Sequence, residues 1–166
     1  MKEALIRHTI NDEIYTPDYA VIPLLKYLPK GITIWECTDY GGSNITKVLK
    51  ENGFKVISSH KNDLDFLKDK APFEFDMIIT NPPYSLKDQF IKKCYEYGKP
   101  FALLLPITAL EGKTRNALYQ KNSIELIIFD KRINFLNNKK SCWFNTSWFC
   151  WKLCTKQLNF ETLERN

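Results

Sequence analysis

Several features are missing from this 166-residue chain, and each absence narrows what it can be. No apolar run approaches the roughly 20 residues that a bilayer-spanning helix needs, so no membrane partner is expected. The N-terminus, Met1-Lys2-Glu3-Ala4-Leu5-Ile6-Arg7-His8, has no long apolar core and no small-residue cleavage site, so no secretory signal is expected. The five cysteines (Cys37, Cys94, Cys142, Cys150, Cys154) are odd in number and form no Cys-x-x-Cys pair. Such a set suits reduced thiols in a cytoplasm better than a disulfide framework. Only two histidines are present, too few to complete a zinc site around Cys150 and Cys154, and no metal is expected. Repeats and low-complexity linkers are lacking, and the length allows one well-cored domain but not two ordinary ones.

What is present describes a globular protein, with 44% hydrophobic and 14% aromatic residues. The net charge of +5, from 24 basic and 19 acidic residues, permits a polyanionic partner without requiring one. The most informative stretch is Phe75-Asp76-Met77-Ile78-Ile79-Thr80-Asn81-Pro82-Pro83-Tyr84. Met77, Ile78 and Ile79 follow one another without polar alternation, as in a strand covered on both faces. Pro82 and Pro83 stop the strand because neither can donate a ladder hydrogen bond. They also hold Asn81 and Pro82 extended. The product is a stiff ledge at the carboxyl end of a buried strand, where open α/β sheets keep their ligands.

Around this ledge the chain alternates strand and helix. Residues 1–14 read as a polar arm. Thr16 is placed to cap a helix with Pro17 in its first turn, running through Val21, Leu24, Leu25 and Leu28 with Pro23 as a flaw. Strands are expected at 32–37, 54–59, 75–80, 101–106, 124–129 and 143–151, and helices at 44–52, 86–97 and 108–120. The segment 38–43 is a tight loop between the first strand and its helix, the arrangement of a nucleotide-type cofactor site. A Rossmann-type site would place a carboxylate after the second strand. This chain has Ser59-His60-Lys61 there, and His60 reads as an exposed loop residue. The last two expected strands form a hairpin, and 155–166 reads as a polar tail. The pattern predicts a single three-layer α/β/α domain over 1–166, Rossmann-like, its mostly parallel sheet closed by an antiparallel C-terminal hairpin, with no separate target-recognition domain.

Asn81-Pro82-Pro83-Tyr84 after such a strand resembles the catalytic motif of class I S-adenosylmethionine-dependent amino methyltransferases, above all the adenine-N6 DNA enzymes. In that family the Asn carbonyl and the first Pro carbonyl accept hydrogen bonds from a conjugated amine. Its lone pair is thereby freed for attack on the methylsulfonium, and the aromatic residue stacks on the flipped base. The resemblance implies catalytic roles for Asn81, Pro82, Pro83 and Tyr84. It implies cofactor contacts from Tyr15, Thr16 and Pro17 at the methionine end, from Glu36 and the loop residues Asp39, Gly41, Gly42 and Ser43, and from Asp65 and Phe66 at the adenine, with Asn81 shared. The match is imperfect. The usual acidic-x-x-x-Gly-x-Gly places Glu36 and Gly42 correctly but has Tyr40 at the first glycine. Small phage-type relatives instead resemble this chain in an Asp-x-x-x-Ser pairing, matched by Asp39 and Ser43, and in the Arg132-Ile133-Asn134-Phe135 and Trp148-Phe149-Cys150-Trp151 segments.

Lys113, Arg115, Arg132, Lys139 and Lys140 are the expected basic rim, placed to hold phosphates near the ledge. The implied activity is methyl transfer from S-adenosylmethionine to an exocyclic amine, foremost N6 of adenine in DNA. RNA or a protein amide remains open as substrate. So does a catalytically silent subunit that needs a partner, and so does a homodimer.

Overall fold

The alternating elements assemble into one seven-stranded sheet of order β2-β1-β3-β4-β6-β5-β7. The computed structural model describes residues 15–135 and 144–165. Its strands are β1 (Thr33–Glu36), β2 (Lys55–Ser58), β3 (Met77–Thr80), β4 (Phe101–Pro106), β5 (Glu125–Phe129), β6 (Thr146–Trp151) and β7 (Leu158–Glu161). β2, β1, β3 and β4 are parallel neighbours. β6 runs antiparallel between β4 and β5, and β7 lies outside β5, parallel to it. From β1 the chain crosses to β2 on one side and returns to β3 on the other. The strand order therefore reverses at β1 and β3, which opens a crevice at their carboxyl ends.

Side-chain alternation builds a core on each face. Ile34, Met77, Ile79, Ala102, Leu104, Ile127 and Trp148 point to one face. They meet Ala20, Val21 and Leu24 of α1 (Asp18–Val21) and its 3-10 extension Ile22–Tyr27, and Ile45, Val48 and Leu49 of α2 (Asn44–Glu51). Trp35, Ile78, Phe101, Leu103, Leu126 and Phe149 point to the other. There they meet Phe90, Ile91 and Cys94 of α3 (Lys87–Tyr97), with Leu118 and Tyr119 of α4 (Lys113–Asn122) packed alongside. Trp35 centres this second core, its ring 5.1–5.7 Å from those of Phe66, Phe73, Phe75 and Tyr97. Burying one such ring contributes about 3 kcal/mol. The three-layer expectation therefore holds. Among the described residues no helix is long and apolar enough to cross a membrane.

Four local readings change. Thr16 does not cap α1: the residue before the helix is Pro17, with no side-chain cap. Pro23 lacks the N–H that an α-helix requires, and the chain continues as a 3-10 turn. The expected polar tail contains β7, fixed by Glu161, which accepts from Tyr27 at 2.5 Å and pairs with Lys26 at 2.5 Å, and by Leu163, which is fully buried. The expected helix at 108–120 divides into a 3-10 turn, Ile107–Leu110, and α4. The arm 1–14 and residues 136–143 lie outside the described residues, and with them Lys139 and Lys140.

Candidate active site

β1 delivers Glu36 to the crevice and buries it, 2% exposed. Among the described residues no cation pairs with it. Hydroxyls and an amide hold it instead: Ser43 donates to Oε2 at 2.6 Å, and Thr80 and the Thr38 amide donate to Oε1 at 2.6 and 2.9 Å. Burial pushes the Glu36 carboxyl up from its ordinary range, and these donors pull it part of the way back.

Asp39 organises the loop that follows. Its Oδ1 accepts from the backbone N–H groups of Gly41, Gly42 and Ser43 at 2.9, 3.1 and 3.1 Å, and Oδ2 accepts from the Thr46 hydroxyl at 2.8 Å. Partial burial works against the charge, but these four donors outweigh it and hold the carboxyl at about 2. Ser43 then caps α2, accepting from Thr46 N. The glycines have separate reasons. Gly41 adopts φ 108°, a region that L side chains avoid, and a Cβ on Gly42 would come within 3.3 Å of the Tyr15 ring. Tyr40, at the place of the first glycine, stacks on Tyr15, centroids 4.5 Å apart and nearly parallel.

β3 delivers the ledge. The Asn81 side-chain amide donates to the Thr16 hydroxyl at 3.1 Å, which turns Oδ1 away from it. That Oδ1 is buried and accepts no hydrogen bond among the described residues. The Asn81 backbone carbonyl receives the Thr38 hydroxyl at 3.3 Å, so the loop after β1 and the ledge after β3 are tied together. Pro82 is buried, and Pro83 leads into the 3-10 turn Tyr84–Leu86. The Tyr84 ring stands edge-on to Phe144, centroids 5.9 Å apart.

These elements enclose a cavity of about 670 Å³. Of the residues expected to hold a cofactor, Tyr15, Thr16, Glu36, Ser43, Asp65, Phe66 and Asn81 line it, and Pro83 of the ledge joins them. Pro17, Asp39, Gly41 and Gly42 are not on the wall, and Asp39 acts on the loop's own amides. Phe66 belongs equally to the core, stacked on Phe90 at 5.0 Å. The Asp65 carboxylate accepts from Leu67 N and lies 3.5 Å from Lys68 Nζ. His60 is not an exposed loop residue. It is 8% exposed, lines the cavity, and sets its ring against that of Tyr40 at 5.4 Å. Its place at the end of β2 was the available signal. Thr38 and Thr80 escaped the sequence reading; a threonine closing the otherwise apolar Met77-Ile78-Ile79 run was the hint.

The residues expected to form a basic rim are differently disposed. The Arg115 guanidinium turns inward, donating to the carbonyls of Ala109 and Glu111 and pairing with Asp88. These contacts hold the start of α4 against Asp88 of α3 and the preceding turn, and the side chain is 14% exposed. Lys113 is exposed at the start of α4, and Arg132 donates to Asn145 at 2.8 Å.

Comparison with solved structures supplies context for this architecture. A protein of Listeria monocytogenes described as a class I S-adenosylmethionine-dependent methyltransferase superposes with a TM-score of 0.62 at 14% identity, over 93% of this chain and 67% of that one. The fold is that of class I methyltransferases. A protein of Vibrio vulnificus described as a modification subunit of a type I restriction enzyme superposes at 0.56 with 11% identity, over 99% of this chain. This chain spans about half the length of that subunit, covering 51% of it. No protein-family model and no curated protein sequence matches the chain.

Proposed function

We propose that this protein transfers a methyl group from S-adenosylmethionine to an exocyclic amine, foremost N6 of adenine in DNA. The observation that carries the reading is the buried Asn81 Oδ1, an acceptor without a partner among the described residues, on a side chain that lines the cavity. Leaving such an atom unpaired costs about 1–3 kcal/mol. An incoming N–H relieves that cost. Accepting it draws a planar amine toward tetrahedral geometry and exposes its lone pair. The Asn81 amide nitrogen is the end engaged by the Thr16 hydroxyl, which leaves Oδ1 for the amine. Pro82 offers its carbonyl as a second acceptor, and Tyr84 offers a ring for the base.

The loop chemistry favours this cofactor over a dinucleotide. A pyrophosphate site presents free loop N–H groups at a helix N-terminus. Here the Asp39 carboxylate occupies those of Gly41, Gly42 and Ser43, and Glu36 lies beneath. Acidic groups in that position repel phosphate and suit a cationic, phosphate-free ligand. S-adenosylmethionine, when bound, supplies a methyl group activated by a sulfonium. Thr16, Glu36 and Ser43 line the part of the wall that would hold it, and Asp65 and Phe66 line the part suited to its adenine.

The fold likeness to a protein described as a modification subunit of a type I restriction enzyme supports nucleic acid as substrate and DNA ahead of RNA, and the net charge of +5 permits such a polyanion. The half-length coverage of that subunit is the observation that favours a second reading, in which a partner completes target recognition. The test is Asn81→Ala, assayed by calorimetric binding of S-adenosylmethionine and by radiolabelled methyl transfer to duplex DNA and to structured RNA. Binding should stay within a few-fold of wild type while transfer falls at least about a hundredfold. Unchanged transfer would refute the assignment. Transfer to RNA alone would move the substrate.

A further inference from the structure

The two ends of the sheet are finished differently. At one end β2 exposes Lys55 and Ser58, the polar kind of residue that discourages edge pairing. At the other, β7 exposes Leu158 at 51% and Phe160 at 73%. Both lie on the α3–α4 face, opposite Leu126 and Ile128 in register, beyond the cover that the helices provide.

The backbone of β7 is equally suggestive. The carbonyls of Gln157 and Glu161 face β5, accepting from Leu126 and Asp130 at 2.8 and 3.1 Å. Because N–H and C=O directions alternate along a strand, the backbone groups of Leu158 and Phe160 face outward. Among the described residues no strand pairs with that edge.

We propose that β7 pairs antiparallel with β7 of a second copy of this chain, on a two-fold axis through Asn159. This inference does not depend on the proposed function. The self-match is what selects a second copy over another strand-bearing partner. In this register Leu158 sits opposite the other copy's Phe160, and Phe160 opposite its Leu158. Both are hydrogen-bonded positions, and all four apolar side chains fall on one face. Glu161 falls opposite Gln157, so no like charges meet across the pair, and Glu161 is already paired on the other face with Lys26. Antiparallel aromatic–aliphatic pairs of this kind each stabilise a sheet. Four strand spacings of about 4.8 Å separate β7 from β3, so the pairing leaves the cavity open.

Sedimentation velocity across a concentration series decides it. The wild-type chain should form a dimer. Phe160→Lys should raise the dissociation constant at least about tenfold with unchanged circular dichroism, and Leu158→Lys should do the same, which covers the case in which one variant fails to fold. Asn159 faces itself across the axis at a non-hydrogen-bonded position, where Cβ atoms come within reach of a disulfide. Asn159→Cys should therefore give an oxidised, covalent dimer absent from wild type under the same treatment. A wild-type monomer at every concentration overturns the proposal. So does a dimer indifferent to both lysine variants, and so does failure of Asn159→Cys to cross-link.

Discussion

Asp39→Asn isolates the charge that closes the loop after β1. The variant keeps an Oδ1 able to accept from Gly41, Gly42 and Ser43, and the Thr46 hydroxyl can rotate to accept from the new amide. What disappears is the negative charge. Holding the carboxyl at about 2 against an ordinary 3.8 corresponds to about 2.4 kcal/mol at 1.36 kcal/mol per decade. Asp39 is partly exposed, and solvent screening reduces this to about 1.5 kcal/mol. The folded-state value is depressed, so the stabilisation is complete above about pH 4 and is lost as pH falls through about 2. At pH 3 roughly half remains. Urea denaturation of wild type and variant at pH 7 and pH 3 should show a gap near 1.5 kcal/mol that shrinks by about half. At pH 7 the variant should melt about 3–6 °C lower. A gap of the same size at both pH values, or none at pH 7, would refute the account of the loop.

Thr16→Val removes the hydroxyl that orients the Asn81 amide while keeping the shape. It should lower kcat about tenfold with little change in cofactor affinity, and equal losses in both would show that Thr16 merely lines the cavity. Arg115→Gln abandons Asp88 and two carbonyls, and should destabilise the fold by about 1–3 kcal/mol. The slope of nucleic-acid affinity against salt should not change, since that guanidinium faces the protein; a shallower slope would return Arg115 to the phosphate rim.

The sheet was legible because buried parallel strands are written as unbroken apolar runs, and Met77-Ile78-Ile79 and Phe101-Ala102-Leu103-Leu104-Leu105 could hardly be anything else. The ledge was legible for a related reason, since two successive prolines constrain the chain wherever they fall. β7 was not. Leu158-Asn159-Phe160-Glu161 is short, and its alternation puts the apolar residues outward, so it has none of the marks of a buried strand. Arg115 was misread as a rim cation because its partner, Asp88, lies 27 residues away, and charge alone does not tell where a guanidinium turns. His60 needed the ring of Tyr40 against it, and Tyr40 is itself held by stacking on Tyr15, a contact made only once residues 15 and 40 are brought together by the fold.

The place of β6 between β4 and β5 has a consequence for how the chain reaches this structure. The four parallel strands β2, β1, β3 and β4 are complete by residue 106, and they include the ledge and the acidic loop. β4 and β5 cannot be joined until residues 146–151 insert between them as an antiparallel wedge. During synthesis, then, β4 presents an open edge of Phe101-Ala102-Leu103-Leu104-Leu105 for some forty residues of elongation, 106 to 146. Pairing over such sequence separation is slow, and an apolar edge left open invites association. The part of the molecule that is complete first carries the candidate site, and the part made last covers the apolar edge of β4.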